Sequence, residues 1–208
     1  MFYTSWYETC SGGLASLKRS LVLLDHTATN RRVYSSDMVP VFLQTPDYAG
    51  AVLSACASVL QVPDDVGDAA TALLQRQAIL DSPSHRFRLL MGEAALLRTV
   101  GSPTVMAAQI QFLLETLETR KNVEIGLLPL DSRLHTPATN FDISDQAAVD
   151  IATVTGFVTA TSAEEIALAE RTFDLLAAEA AYGHDARVLL NRAQSTHAFS
   201  KDQPTTST

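Results

Sequence analysis

The spacing of apolar residues changes between helical and alternating along this chain, and that change constrains its fold more than any other feature. From Gly13 to about Asn30, Leu14, Leu17, Leu21 and Leu24 recur at helical spacing, with Lys18, Arg19 and Asp25 off the stripe. Arg32-Val-Tyr34 is a short apolar break, and Pro40 behind it excludes a central strand or a helix interior at that point. Thr45-Pro46 then supplies a cap and a first-turn proline for a helix with Tyr48, Val52, Leu53 and Cys56 on its apolar face. Pro63-Asp-Asp65 opens another helix that runs through Val66, Ala70, Leu73, Leu74 and Ile79. At His85–Met91 the period becomes two, with Phe87, Leu89 and Met91 alternating against Arg86, Arg88 and Leu90 as in a half-buried strand. Glu93–Arg98 reads as a short helical segment. Ser102-Pro103 caps a strong amphipathic helix through Met106, Ile110, Leu113, Leu114 and Leu117, and Asn122–Pro129 reads as a second strand. Phe141–Ile143 forms a weak strand, and the β-branched run Val149–Thr161 supplies one or two more. Ser162 caps a helix with Glu164 and Glu165 at its positive end and Ile166, Phe173 and Leu176 on its buried face, and His184–Arg192 is a short terminal helix. The order predicts one α+β domain over residues 1–193: a helical N-terminal part, then a small mixed or antiparallel sheet surrounded by amphipathic helices. The polar, aperiodic stretch 194–208 is expected to be a disordered tail.

The balance of charge narrows the partners. A formal net charge of -8 and a pI near 5.0 argue against a phosphate-binding surface, and the basic pairs Lys18-Arg19 and Arg31-Arg32 read as solvated helix faces without aromatic neighbours. Direct nucleic-acid binding is therefore not expected. Cys10 and Cys56 have no CxxC spacing, the N-terminus lacks the basic and apolar regions of a leader, and no window approaches eighteen apolar residues. Those features predict a cytoplasmic protein with reduced thiols and no membrane span.

No sequence motif for nucleotide binding, metal binding or nucleophilic catalysis is present, and the five histidines are too scattered to form a ligand set. No metal or cofactor is expected. Cys56, on an apolar helix face, reads as a buried structural thiol. The more informative polar residues stand among apolar neighbours, where burial obliges each to find a partner: Gln44, Tyr48, Arg76, Gln77, Glu93, Arg98 and Gln109. They fit two arrangements. One is an internal network in which Glu93 pairs with Arg76 or Arg98. The other is a pocket in which Glu93 acts as acid or base, His135 carries protons, and Gln44, Tyr48, Arg76, Gln77, Arg98 and Gln109 hold a ligand. The aromatic cluster Phe2, Tyr3, Trp6 and Tyr7 either packs onto the core or forms a partner surface.

Met38-Val-Pro-Val-Phe-Leu-Gln-Thr-Pro-Asp-Tyr-Ala-Gly-Ala51 resembles the opening signature of the Scr1-type antitoxin-like regulator module, the DUF5753 domain of actinobacterial regulators. The likeness continues through Leu74–Leu80, Glu93–Arg98, Val100-Gly101, Val105-Met106 with Gln109, Val123–Pro129 and Phe173–Leu176, covering about residues 33–192. The chain departs from the pattern at Val41 and Phe42, where Gly-Leu is preferred, and at Gly50, Asn140, Asp150 and Ala152. The resemblance implies a regulatory domain that ordinarily follows a helix-turn-helix, which is not seen here. It points to a standalone antitoxin-like or effector-binding module acting through a protein partner or a small ligand, with Trp6, Val41 and Phe42 as candidate contacts. The alternative is a module recruited as a cyclase- or isomerase-type enzyme of specialised metabolism, with Glu93 as its acid or base.

Overall fold

The computed structural model describes residues 1–14, 28–63, 65–133 and 138–199. The leucine stripe between Leu14 and Leu24 and the loop residue His135 fall outside them, apart from Leu14 itself, which is buried. Among the described residues seven helices and a seven-stranded sheet occur in the chain order β1 (Phe2–Ser5), α1 (Trp6–Cys10), β2 (Asn30–Ser35), α2 (Pro46–Leu60), α3 (Val66–Gln77), β3 (Arg86–Gly92), α4 (Ala94–Leu97), α5 (Pro103–Thr119), β4 (Val123–Leu128), β5 (Phe141–Ser144), β6 (Ala148–Ala152), β7 (Gly156–Ala160), α6 (Ala163–Glu179) and α7 (Gly183–Phe199). Two 3₁₀ turns, Val41–Leu43 and Ala78–Asp81, complete the path. The α+β class follows directly.

The sheet runs β1-β7-β6-β5-β2-β3-β4 and divides into two halves of different character. β2, β3 and β4 are parallel, so each junction needs a crossover, supplied first by α2 and α3 and then by α4 and α5. Parallel strands are buried on both faces, which is why Leu90 is buried together with Leu89 and Met91. Phe87, Leu89, Met91, Val123, Ile125 and Leu127 face α5 and α7, while Leu90 and Leu128 join Phe141, Ile143, Ile166, Phe173 and Leu176 beneath α6. The remaining strands, β5, β6, β7 and β1, are antiparallel. Gly156 lets the β1 edge close onto β7, since a Cβ there would lie 2.1 Å from the Thr4 carbonyl oxygen.

Local chemistry fixes the helix starts. The Thr45, Ser102 and Ser162 hydroxyls accept hydrogen bonds from the amides of Tyr48, Val105 and Glu165, at 3.4, 3.2 and 3.3 Å. Three readings need correction. Arg31-Arg32 lies in a central strand, not on a helix face, and Asn30 already belongs to that strand, so a helix cannot extend to it. Helix α7 continues through residues 194–199, because His197 is buried with Nε2 2.7 Å from the Leu96 carbonyl oxygen; the helical pattern therefore passes Arg192, where apolar spacing weakened. Cys56 is exposed, and Cys10 is the buried thiol. No helix among the described residues is long and apolar enough to cross a membrane.

Asp145, in a left-handed turn at φ 50° after β5, ties that turn to the start of β2. Its carboxylate accepts from the Asn30 and Thr29 amides at 2.9 and 3.2 Å. Partial burial pulls its pKa upward, but these hydrogen bonds outweigh it and hold the group below the ordinary carboxylate value. The linked stability is present above that ordinary value and lost as pH falls through the folded pKa. Asp145→Asn, which tolerates the left-handed backbone, is expected to cost about 1 kcal/mol at neutral pH, discounted for exposure, with the difference from wild type vanishing as acid protonates the wild-type group. Urea unfolding at a series of pH values measures this.

Candidate functional site

The helices α5 and α7 cover one face of the sheet only over its parallel half. Over β5, β6 and β7 that same face is the floor of a cavity of about 550 Å³. Strand register explains which side chains reach it. Arg31, Val33 and Ser35 of β2, Asp142 and Ser144 of β5, Ala148, Asp150 and Ala152 of β6, and Phe157 and Thr159 of β7 share that face. Met38, Val39, Pro40 and Val41 make one wall, Arg76 of α3 closes it from above, and Trp6 stands at the far side against Phe157, their ring centroids 5.4 Å apart. The lining is mostly apolar, with a few charged groups placed within it, as in small-molecule sites.

Two guanidiniums flank one aromatic ring. The Arg76 and Arg31 Cζ atoms lie 4.7 and 5.5 Å from the Phe42 ring centroid, and both side chains are buried. Arg31 Nη1 donates to Asp142 Oδ2 at 2.7 Å. Further along the floor Thr159 Oγ1 donates to Asp150 Oδ1 at 2.5 Å, and the indole Nε1 of Trp6 donates to the Thr153 carbonyl at 3.0 Å, which fixes the ring. No group of three or more histidine, cysteine, aspartate or glutamate residues suited to a metal occurs among the described residues.

The residues singled out by sequence behave differently. Of the seven polar residues Gln44, Tyr48, Arg76, Gln77, Glu93, Arg98 and Gln109, Arg76 alone lines the cavity. Gln44, Tyr48, Gln77 and Gln109 instead satisfy the backbone of residues 39–45: Gln44 Nε2 donates to the Val39 carbonyl at 2.8 Å, the Tyr48 hydroxyl accepts from the Val39 amide at 3.1 Å, and Gln77 Nε2 donates to the carbonyls of Val41 and Gln44. Gln109 Nε2 donates to the Leu43 carbonyl at 2.6 Å while its Oε1 accepts from the Thr45 amide at 2.7 Å. Burial raises the Tyr48 pKa, reinforced by the charge of Asp37 and only partly offset by the hydrogen bond from the Val39 amide, so it stays a neutral clamp. Glu93 is buried, but its Oε2 accepts from the Leu130 amide at 3.0 Å and its Oε1 lies 4.0 Å from Arg192; neither Arg76 nor Arg98 is its partner. Arg98 makes an exposed ion pair with Asp37 at 2.8 Å. Trp6 lines the cavity, whereas Phe2, Tyr3 and Tyr7 are exposed and Phe42 is fully buried, so Phe42 offers no contact surface. The sequence reading missed Arg31, Asp142 and Thr159, whose pairing depends on strand register between segments far apart in the chain.

A family described as "Domain of unknown function (DUF5753)" matches residues 18–192. No curated protein matches the chain. Among solved structures, TrmBL2, described as an archaeal chromatin protein with a novel mode of DNA binding, superposes with a TM-score of 0.38 at 12% identity, over 88% of this chain and 52% of that one. The chain thus spans about half the length of that protein.

Proposed function

We propose that this chain, which belongs to the DUF5753 family, is an effector-binding regulatory module whose small-molecule ligand occupies the cavity above β5, β6 and β7. The observation that carries the reading is the cavity itself: about 550 Å³, bounded by apolar side chains, with charged groups confined to its floor and roof. Its wall is the Val39–Val41 segment, and its far side is Trp6, next to the exposed aromatic residues Phe2, Tyr3 and Tyr7. Occupancy of the cavity would thus be felt at a surface suited to a protein partner, and the acidic balance of the chain favours a route to regulation that does not pass through direct contact with DNA. Catalysis at Glu93 gains no support, since that carboxylate holds the turn after β4 and does not line the cavity.

Trp6 is the single tryptophan of the chain and lines the cavity, so its emission reports occupancy. Titration with a panel of apolar metabolites carrying one polar group is expected to shift Trp6 emission for at least one class. Ala148→Phe, which places a ring in the cavity floor while leaving Trp6 intact, is expected to weaken that binding by at least tenfold with little change in urea stability. Equal affinity for wild type and Ala148→Phe would sink the proposal.

A further inference from the structure

We infer that the ligand is a small organic cation, a protonated amine or quaternary ammonium on an apolar body, with its charged nitrogen seated on Asp150 beside Trp6 and Phe157. This rests on the cavity being the ligand site.

Three observations converge. Register places Asp142 and Asp150 directly opposite each other on the cavity floor, with Thr159 opposite Asp150 on the next strand. Two like charges in directly opposed positions destabilise a sheet unless a cation offsets them. Arg31 meets Asp142 at 2.7 Å, whereas the hydrogen bond given to Asp150 is a neutral one from the Thr159 hydroxyl at 2.5 Å. Thus the β5 carboxylate has a built-in guanidinium, and the β6 carboxylate keeps its negative charge turned to the cavity.

The second observation is aromatic. Phe157 lies two residues before Thr159 on β7, so its ring shares the cavity face one step diagonally from Asp150, and Trp6 packs against it at 5.4 Å. The electron-rich faces of indole and phenyl rings attract ammonium groups, and a carboxylate next to such rings is the arrangement that recognises organic cations. The Trp6 ring is held for this by its own hydrogen bond to Thr153.

The third is the distribution of charge. The cavity's own cations, Arg31 and Arg76, are both gathered around Phe42 at the β2 side, away from the Trp6 and Phe157 end. A ligand amine at Asp150 therefore avoids them, while the apolar body lies across Ala148, Ala152 and the Val39–Val41 wall. The overall charge of -8 draws cations toward the molecule.

The test uses three probes of equal chain length, n-octylammonium, 1-octanol and n-octanoate, titrated against the full chain with Trp6 emission as the readout. Octylammonium is expected to bind tightest. Asp150→Asn is expected to weaken it at least tenfold and leave octanol within about twofold, and because it removes the charge opposed to Asp142 it is not expected to unfold the protein. Phe157→Leu is expected to cost octylammonium about fivefold and octanol little. Tightest binding by octanoate, or an Asp150→Asn variant that binds octylammonium as wild type does, would overturn the cation assignment and leave the cavity reading standing. If none of the three probes moves Trp6 emission in wild type, both the cation assignment and the cavity reading fall.

Discussion

Gln109→Leu is expected to remove about 4 kcal/mol of stability. Gln109 is fully buried, and its amide makes both of its hydrogen bonds to backbone, the Leu43 carbonyl and the Thr45 amide. Leucine matches its bulk but offers neither group. Each buried backbone group left without a partner costs about 1–3 kcal/mol, and two are lost together. The backbone from Val39 to Thr45 has few alternatives, because it contains a single 3₁₀ turn and cannot bond as a strand or a helix. Six of its polar groups are met by side chains: the Val39 amide, the Val41, Leu43 and Gln44 carbonyls and the Thr45 amide by Tyr48, Gln77 and Gln109 from outside the segment, and the Val39 carbonyl by Gln44 within it. For a domain of this size the loss corresponds to a fall in melting temperature of about 10 °C. Urea unfolding with an unchanged m-value would attribute it to the native state, and a loss below about 1 kcal/mol would show that the segment is not held this way. Since Val39, Pro40 and Val41 wall the cavity, the same variant is also expected to bind ligand more weakly.

That arrangement explains what could be read in the sequence. Buried polar residues among apolar ones announce that partners exist, and Gln44, Tyr48, Gln77 and Gln109 have them; what their identities do not say is that the partners are backbone atoms of the motif itself. Elements whose instructions are local were legible: α5 follows from Ser102, Pro103 and a single apolar stripe, and β3 from alternation. β2 was not, because it opens on Asn30-Arg31-Arg32, and the reasons those charges tolerate a central strand lie far along the chain. Arg31 meets Asp142 on one face and Arg32 meets Glu170 on the other, 111 and 138 positions away. β1 escaped for a different reason: it is a four-residue edge with Phe2 and Tyr3 exposed, so no buried stripe marks it. The cavity was legible only indirectly. Val41, Asn140, Asp150 and Ala152, where the chain departs from the pattern it resembles, all line it, yet nothing in their spacing brings them together before the antiparallel register is known.

Arg31→Met is expected to cost about 3 kcal/mol at neutral pH, and the double variant Arg31→Met with Asp142→Leu to recover most of it. A buried ion pair adds little net stability, because desolvation offsets the attraction, but removing one partner strands the other charge at a cost of about 3–5 kcal/mol. Asp142 retains some exposure, with its side chain 20% accessible against 5% for Arg31, which sets the expectation at the low end. Without Arg31, Asp142 would also face Asp150 directly across the β5–β6 ladder with one guanidinium fewer beside them. Asp142→Leu removes that carboxylate, which is why the double variant is expected to recover most of the loss. A four-member cycle of wild type, both single variants and the double variant, unfolded in urea at neutral pH, tests this. Additive losses would mean that the 2.7 Å contact couples nothing. A coupling of more than about 1 kcal/mol would establish that the Arg31 guanidinium helps two opposed aspartates to share the cavity floor.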